Sequence, residues 1–185
     1  LASGSGLLAR WGLNEGSGTS AGNSIAGGAL GTLVRNPLWV TGFNQTDPTT
    51  NSSLDFNGPE DYITFGAAPG LNTPSGTFTV EAWIKIEGTG IATSTGTGGI
   101  SGIPIVAKGR SESDAAGRNV NYFLGINTSN VLVADFEESG GANHPVTGTN
   151  AIPLNTWTHV AATYGAGNWN LYINGVLDKT ESEGA

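Results

Sequence analysis

The chain has no cysteine among its 185 residues, which excludes both a disulfide framework and a thiolate metal site. A domain of this length buries enough core to do without bridges, so secretion is still permitted. Long apolar runs are missing too. Nothing approaches the ~20 residues that a membrane helix needs, and the opening Leu1-Ala-Ser-Gly-Ser-Gly6 is too short and polar for a signal peptide. The segment reads as mature, or as cut from something longer. Positive charge is scarce: Lys and Arg number 7 against 15 Asp and Glu, a formal net charge of -8. Such a surface repels phosphate backbones and anionic lipid heads, so neither nucleic acid nor membrane insertion is expected. No sustained helical period occurs. With 30 glycines and 37% hydrophobic residues, the composition suits one domain of short strands and many turns, spanning residues 1 to 185.

What is present is strand alternation. Through Thr77-Phe-Thr-Val-Glu-Ala-Trp-Ile-Lys-Ile86, residues Phe78, Val80, Ala82, Ile84 and Ile86 share one face, and Thr79, Glu81, Trp83 and Lys85 the other, as a half-buried strand requires. Asn155 to Tyr164 is a second such run and Trp169 to Leu177 a third. Strands this far apart in sequence imply sheets packed face to face. Leu7 to Leu13 reads as a first strand. Residues 88 to 102 form a Gly/Thr stretch that lengthens one hairpin well beyond the usual ~2 to 5 residues and reads as a functional or a mobile arm.

The segments "LLARWGLNEGSGT" (7–19), "SLDFNGPEDYITF" (53–65), "GTFTVEAWIKI" (76–86), "PIVAKG" (104–109), "NYFLGI" (121–126), "PLNTWTHVAATY" (153–164) and "NWNLYINGVLD" (168–178) stand in an order that resembles the laminin-G-like, concanavalin A-like jelly-roll domains, as in the bacterial LamG-like family. The resemblance covers nearly the whole chain. It implies an all-β, two-sheet antiparallel jelly-roll sandwich. Members of that family usually continue past the "LYINGVLD" hairpin into closing strands. Here the chain stops at Ala185, so those strands are expected from a larger parent or from a strand donated by another chain. Folds of this kind host lectins, adhesins, structural modules and glycosidases, so function has to come from a site.

Catalytic signatures are absent. The E-x-D-x-x-E strand of laminarinase-type relatives does not occur, nor does a G-x-S-x-G elbow. Asp135-Phe-Glu137 places two carboxylates on one strand face, as a retaining glycosidase would, but in a position that reads as a solvent-facing strand end. The chain is therefore expected not to be an enzyme. A ligand patch is expected where Lys108, Arg110, Glu112, Asp114, Asn121, Tyr122, Asp135, Glu137, Asn143 and His144 converge, because charged and amide groups beside an aromatic ring suit saccharide hydroxyls and C–H faces. An internal network that orders loops is the competing reading. Trp83 faces either solvent, as a sugar platform, or a second apolar layer. Calcium is the cofactor candidate. Related modules use an Asp-containing segment after the first strand, and Gly18-Thr-Ser-Ala-Gly-Asn-Ser24 lacks the Asp, leaving Glu15, Asn23, Asn57 and Asp61 as candidate ligands. The expected function is a carbohydrate- or protein-binding or adhesion module of a secreted or cell-surface protein. The alternative is a structural subunit of an extracellular assembly.

Overall fold

A computed structural model describes residues 6–43, 51–72, 76–109 and 119–183. The chain, read from sequence as one domain, divides into two compact units, Leu1–Asn72 and Thr73–Ala185. In the first unit, β1 (Ser20–Ala21), β2 (Gly31–Val34) and β5 (Tyr62–Thr64) form an antiparallel sheet, and β3 (Leu38–Thr41) pairs with β4 (Ser52–Asp55). Gly31 is required where β2 crosses its neighbours, since a Cβ there would meet Ile63 Cγ2 at 2.6 Å and Phe65 Cε1 at 2.7 Å. The strand expected over Leu7 to Leu13 is reduced to a single bridge between Trp11 and Asn23. The Asn23 side chain takes the Arg10 amide that a neighbouring strand would have taken. Trp11 anchors the segment instead, donating Nε1–H to Ala29 O at 2.9 Å and lying over Phe65 with ring centroids 4.0 Å apart.

The second unit is a sandwich of two antiparallel sheets. The five-stranded sheet has the order β11-β10-β9-β8-β7, built from β7 (Thr93–Ser94), β8 (Ser101–Gly109), β9 (Val120–Ile126), β10 (Val131–Asp135) and β11 (Val146–Ala151). The four-stranded sheet has the order β14-β13-β12-β6, built from β6 (Thr77–Ile84), β12 (Thr158–Gly165), β13 (Asn168–Ile173) and β14 (Val176–Ser182). Between them Leu124, Ile126, Leu132, Ala134 and Val146 from one sheet meet Val160, Ala162, Trp169 and Leu171 from the other. Phe78, Val80, Ala82 and Ile84 pack against that cluster. The alternation read in β6 is thus the real one, because period 2 delivers every second side chain to the core.

The run from Trp169 to Leu177 is not one strand. It breaks at Asn174 and Gly175, whose φ angles of 50° and 77° are the left-handed pair of a tight hairpin turn, and Asn-Gly is the dipeptide such turns favour. Beyond the turn, β14 bends past a bulge. There Asp178 accepts the Thr149 and Asn150 amides at 2.8 and 3.1 Å, which ties β14 to β11 along one side of the sandwich.

The strands β9 and β10 are buried on both faces. Val133 lies opposite the main core and joins Val120 and Phe123 in a second cluster, against which Ile100 packs. The cover comes from the Gly/Thr stretch. Strand β7 pairs with β8, and the chain between them folds over the sheet instead of projecting as an arm.

Candidate functional site

Register fixes which way each residue of the expected patch points. Asp135 pairs with Phe123 and Ala134 with Leu124. Leu124 and Ala134 belong to the central core, so Asp135 and Phe123 face outward from the sandwich. Glu137, two residues on, shares the face of Asp135, as the spacing in the sequence implies. The expected exposure is wrong. Asp135 and Glu137 are 0% and 2% exposed, because the Gly/Thr segment lies over Asp135 and because both serve as internal acceptors.

Asp135 Oδ2 accepts the Thr95 hydroxyl at 2.5 Å and Oδ1 accepts the His144 amide at 2.9 Å. Burial pushes its pKa from 3.8 up to about 6, a rise opposed by these hydrogen bonds and by one from the Phe136 amide, and reinforced by the charge of Glu137. Glu137 Oε2 accepts the amides of Asn119 and Val120 at 2.5 and 2.8 Å, clipping the start of β9. A carboxylate that accepts two backbone amides is a structural anchor, since removing it strands buried donors. Thr95 is itself locked, receiving Ile100 N at 2.8 Å. Gly99 fits only as glycine, because a Cβ would stand 2.2 Å from Thr95 Oγ1 and 2.8 Å from Asp135 Oδ2.

Among the described residues, the other members of the patch do not converge on this pair as a surface. Asn143 joins it, bridging Glu137 through the backbone and donating Nδ2 to Thr97 O at 3.1 Å. Tyr122 points the opposite way, into the sandwich, with its ring centroid 6.2 Å from Phe78. Its pKa is raised by burial. Lys108 pairs with Tyr122 across β8 and β9, and Asn121 is half-buried in β9. Arg110, Glu112 and Asp114 lie outside the described residues. His144 stacks on Phe136 at 4.6 Å and 14°, and its carbonyl accepts Trp169 Nε1–H at 2.8 Å.

The candidate calcium ligands act as turn acceptors. Glu15 Oε1 accepts Gly22 N at 2.6 Å, Asn23 Oδ1 accepts Ile25 N at 2.9 Å, and Asp61 accepts Gly58 N and Asn36 N at 2.9 and 3.2 Å. Asn57 precedes the Gly58 turn. Among the described residues no group of three or more His, Cys, Asp or Glu is placed to hold a metal ion.

The open surface is elsewhere. While the outer side of β9 and β10 is covered, the outer side of β6 and β12 carries Trp83, 49% exposed, directly across from His159. Their rings lie 5.4 Å apart, and His159 Nε2 is 3.5 Å from Glu81 Oε2. On the same face the register aligns Glu81, Ala161 and Tyr172 in one row and Thr79, Thr163 and Asn170 in the next. The result is a half-exposed indole beside an imidazole and a carboxylate, with hydroxyls and an amide further along the same face. Sequence reasoning left Trp83 between solvent and a second layer; alternation along β6 allowed the first.

Among solved structures, the chain is similar to an S-layer domain-containing protein (residues 221–444) from Clostridium thermocellum ATCC 27405, at 20% identity and a TM-score of 0.51, covering 96% of this chain and 73% of that one. It is also similar to the carbohydrate-binding module CBM66 from Bacillus subtilis, at 14% identity and a TM-score of 0.41, covering 84% and 80%. No curated protein matches the sequence. The profile described as the concanavalin A-like lectin/glucanases superfamily matches residues 57–185, which spans β5 to the end of the sandwich. The chain belongs to the concanavalin A-like lectin/glucanases superfamily.

Proposed function

We propose that the chain is a non-catalytic saccharide-binding module of a secreted or cell-surface protein, and that it binds on the outer face of β6 and β12. The half-exposed Trp83 beside His159 and Glu81 carries this reading. An indole face takes the C–H surface of a pyranose, and the carboxylate and imidazole beside it take the hydroxyls. Asp135 and Glu137, the carboxylate pair nearest to a hydrolytic arrangement, are covered and committed to backbone amides and a hydroxyl. That supports recognition over hydrolysis. Membership in a superfamily of lectins and glucanases favours a sugar over a protein ligand, and the acidic, cysteine-free composition suits a surface protein.

The test is a glycan array followed by calorimetry on the Trp83→Ala variant. Binding of at least one glycan is expected, weakened about tenfold or more by Trp83→Ala, with the melting temperature changed little. An array without a hit, or a hit indifferent to Trp83→Ala, sinks the proposal.

A further inference from the structure

The segment from Glu138 to Pro145 is fastened to three other parts of the second unit, and His144 is where the fastenings meet. Its amide donates to Asp135 Oδ1 and to Phe136 O, both at 2.9 Å. Its carbonyl receives Trp169 of β13. Its ring lies flat on Phe136 between two carboxylates, with Nδ1 3.3 Å from Glu183 Oε2 just past β14 and Nε2 3.7 Å from Glu138 Oε2. The side chain is 20% exposed and that of Glu183 is 19% exposed. Nε2 is shielded from solvent and has no hydrogen-bond partner among the described residues.

A neutral imidazole carries one N–H and can donate to only one of two carboxylates. The other nitrogen then turns a lone pair toward an anion. An imidazolium donates from both nitrogens, and each hydrogen bond becomes charge-assisted. From these contacts we propose that His144 is a pH-operated clasp: acidification joins the segment 138–145 to the end of β14 through Glu183 and Glu138, and neutral or alkaline pH loosens that junction.

The titratable groups around the ring are Glu138 on its own segment and Glu183 beyond β14, the two carboxylates that face its nitrogens, with the buried Asp135 of β10 bound to the backbone amide of His144 instead of its ring. Tyr164 of β12 lies near both glutamates, and its pKa is raised by burial and by Glu183 and Glu138, so the phenol stays neutral through the working range. Histidine is the side chain whose ordinary titration falls between about pH 5 and 8. The Glu183 amide bonds to Gly167 O at 2.9 Å, so local opening at the end of β14 is readable at one backbone position. Asn143, next to His144, holds Thr97 O, so the clasp also borders the cover over Asp135.

The experiment is amide hydrogen exchange on the full chain, expressed as protection factors to remove the intrinsic pH dependence of exchange. Between pH 7.5 and 5.5 the Glu183 amide should gain protection by about fivefold or more, and His144→Gln should abolish the gain. Glu183→Gln should reduce it. His159→Gln, which alters the other histidine, should leave it intact, and so should Asp135→Asn, which removes the nearby buried acid. A Glu183 amide equally protected at both pH values overturns the clasp. So does a gain that survives His144→Gln or that disappears in Asp135→Asn. If His144→Gln fails to fold, the decision passes to Glu138→Gln with Glu183→Gln, and an undiminished gain in that double variant overturns the clasp.

Discussion

The hydroxyl of Thr95 donates to the carboxylate of Asp135 across 40 residues of sequence, and both side chains are sealed from solvent at 1% and 0% exposure. With Ile100 packing and the Asn143–Thr97 contact, this bond fastens the glycine- and threonine-rich connection between β6 and β8 onto the outer side of the five-stranded sheet. Because Thr95 Oγ1 also receives the Ile100 amide, the hydroxyl organises the turn and anchors it together. A buried carboxylate without such donors would be costly to keep ionised.

Thr95→Val tests that anchor with little change in volume. The variant keeps the shape but removes a donor to Asp135 and an acceptor for Ile100 N. It should cost about 1.5–3 kcal/mol at pH 7, the range for hydrogen bonds to charged groups. The same change should push the Asp135 pKa further up, because a bond that stabilised the anion is gone. Urea denaturation of both proteins, with the carboxyl resonance followed by NMR, measures both effects. Unchanged stability would mean that the cover is held by Ile100 packing, the β7–β8 pairing and the Asn143–Thr97 contact instead.

Asp135 makes stability pH-dependent in a defined direction. Its folded-state pKa is about 6 against an ordinary 3.8, so over that interval the folded state holds a proton that the unfolded chain has released. The stabilisation is fully present below about pH 4 and is lost as pH rises through 6. A difference of this size is worth roughly 3 kcal/mol. The sign is opposite to that of a salt-bridged carboxylate. Asp135→Asn should flatten the decline between pH 4 and 6 while leaving the rest of the profile in place. Denaturation midpoints at half-unit pH steps give the slope, and a variant retaining the wild-type slope would assign it to other groups.

How much of this was legible depended on whether a residue's partner was close in sequence or implied by a period. The inward set Phe78, Val80, Ala82 and Ile84 could be read because a half-buried strand repeats every second residue, and the sandwich followed from several such strands. The shared face of Asp135 and Glu137 came from the same rule. Their burial did not, because Gly/Thr composition carries no period and Thr95 meets Asp135 only through the tertiary fold. A signal was present in Val131-Leu-Val-Ala134: an unbroken apolar run marks a strand covered on both faces, and Ile100 is a lone apolar residue in a polar stretch able to supply the second cover. The turn at Asn174-Gly175 was equally visible and divides a run that alternation alone would join. Trp83 was readable as facing solvent or a second layer, but its pairing with His159 rests on the register between β6 and β12.

Chelation addresses calcium in the first unit. Glu15, Asn23 and Asp61 already accept backbone amides, so a hard cation would compete with donors that hold two separate turns. Calcium requires six to eight oxygens at about 2.3–2.6 Å, and the Asp that would lead such a set is absent from the segment Gly18 to Ser24. Excess chelator should therefore leave the melting temperature unchanged, since a ligand that binds the folded state raises stability only when it is bound. Glu15→Gln should weaken the Gly22 contact and lower stability by about 1 kcal/mol, equally with calcium and with chelator. A fall in melting temperature on chelation, reversed by added calcium and lost in Glu15→Gln, would instead place a cation among these turns.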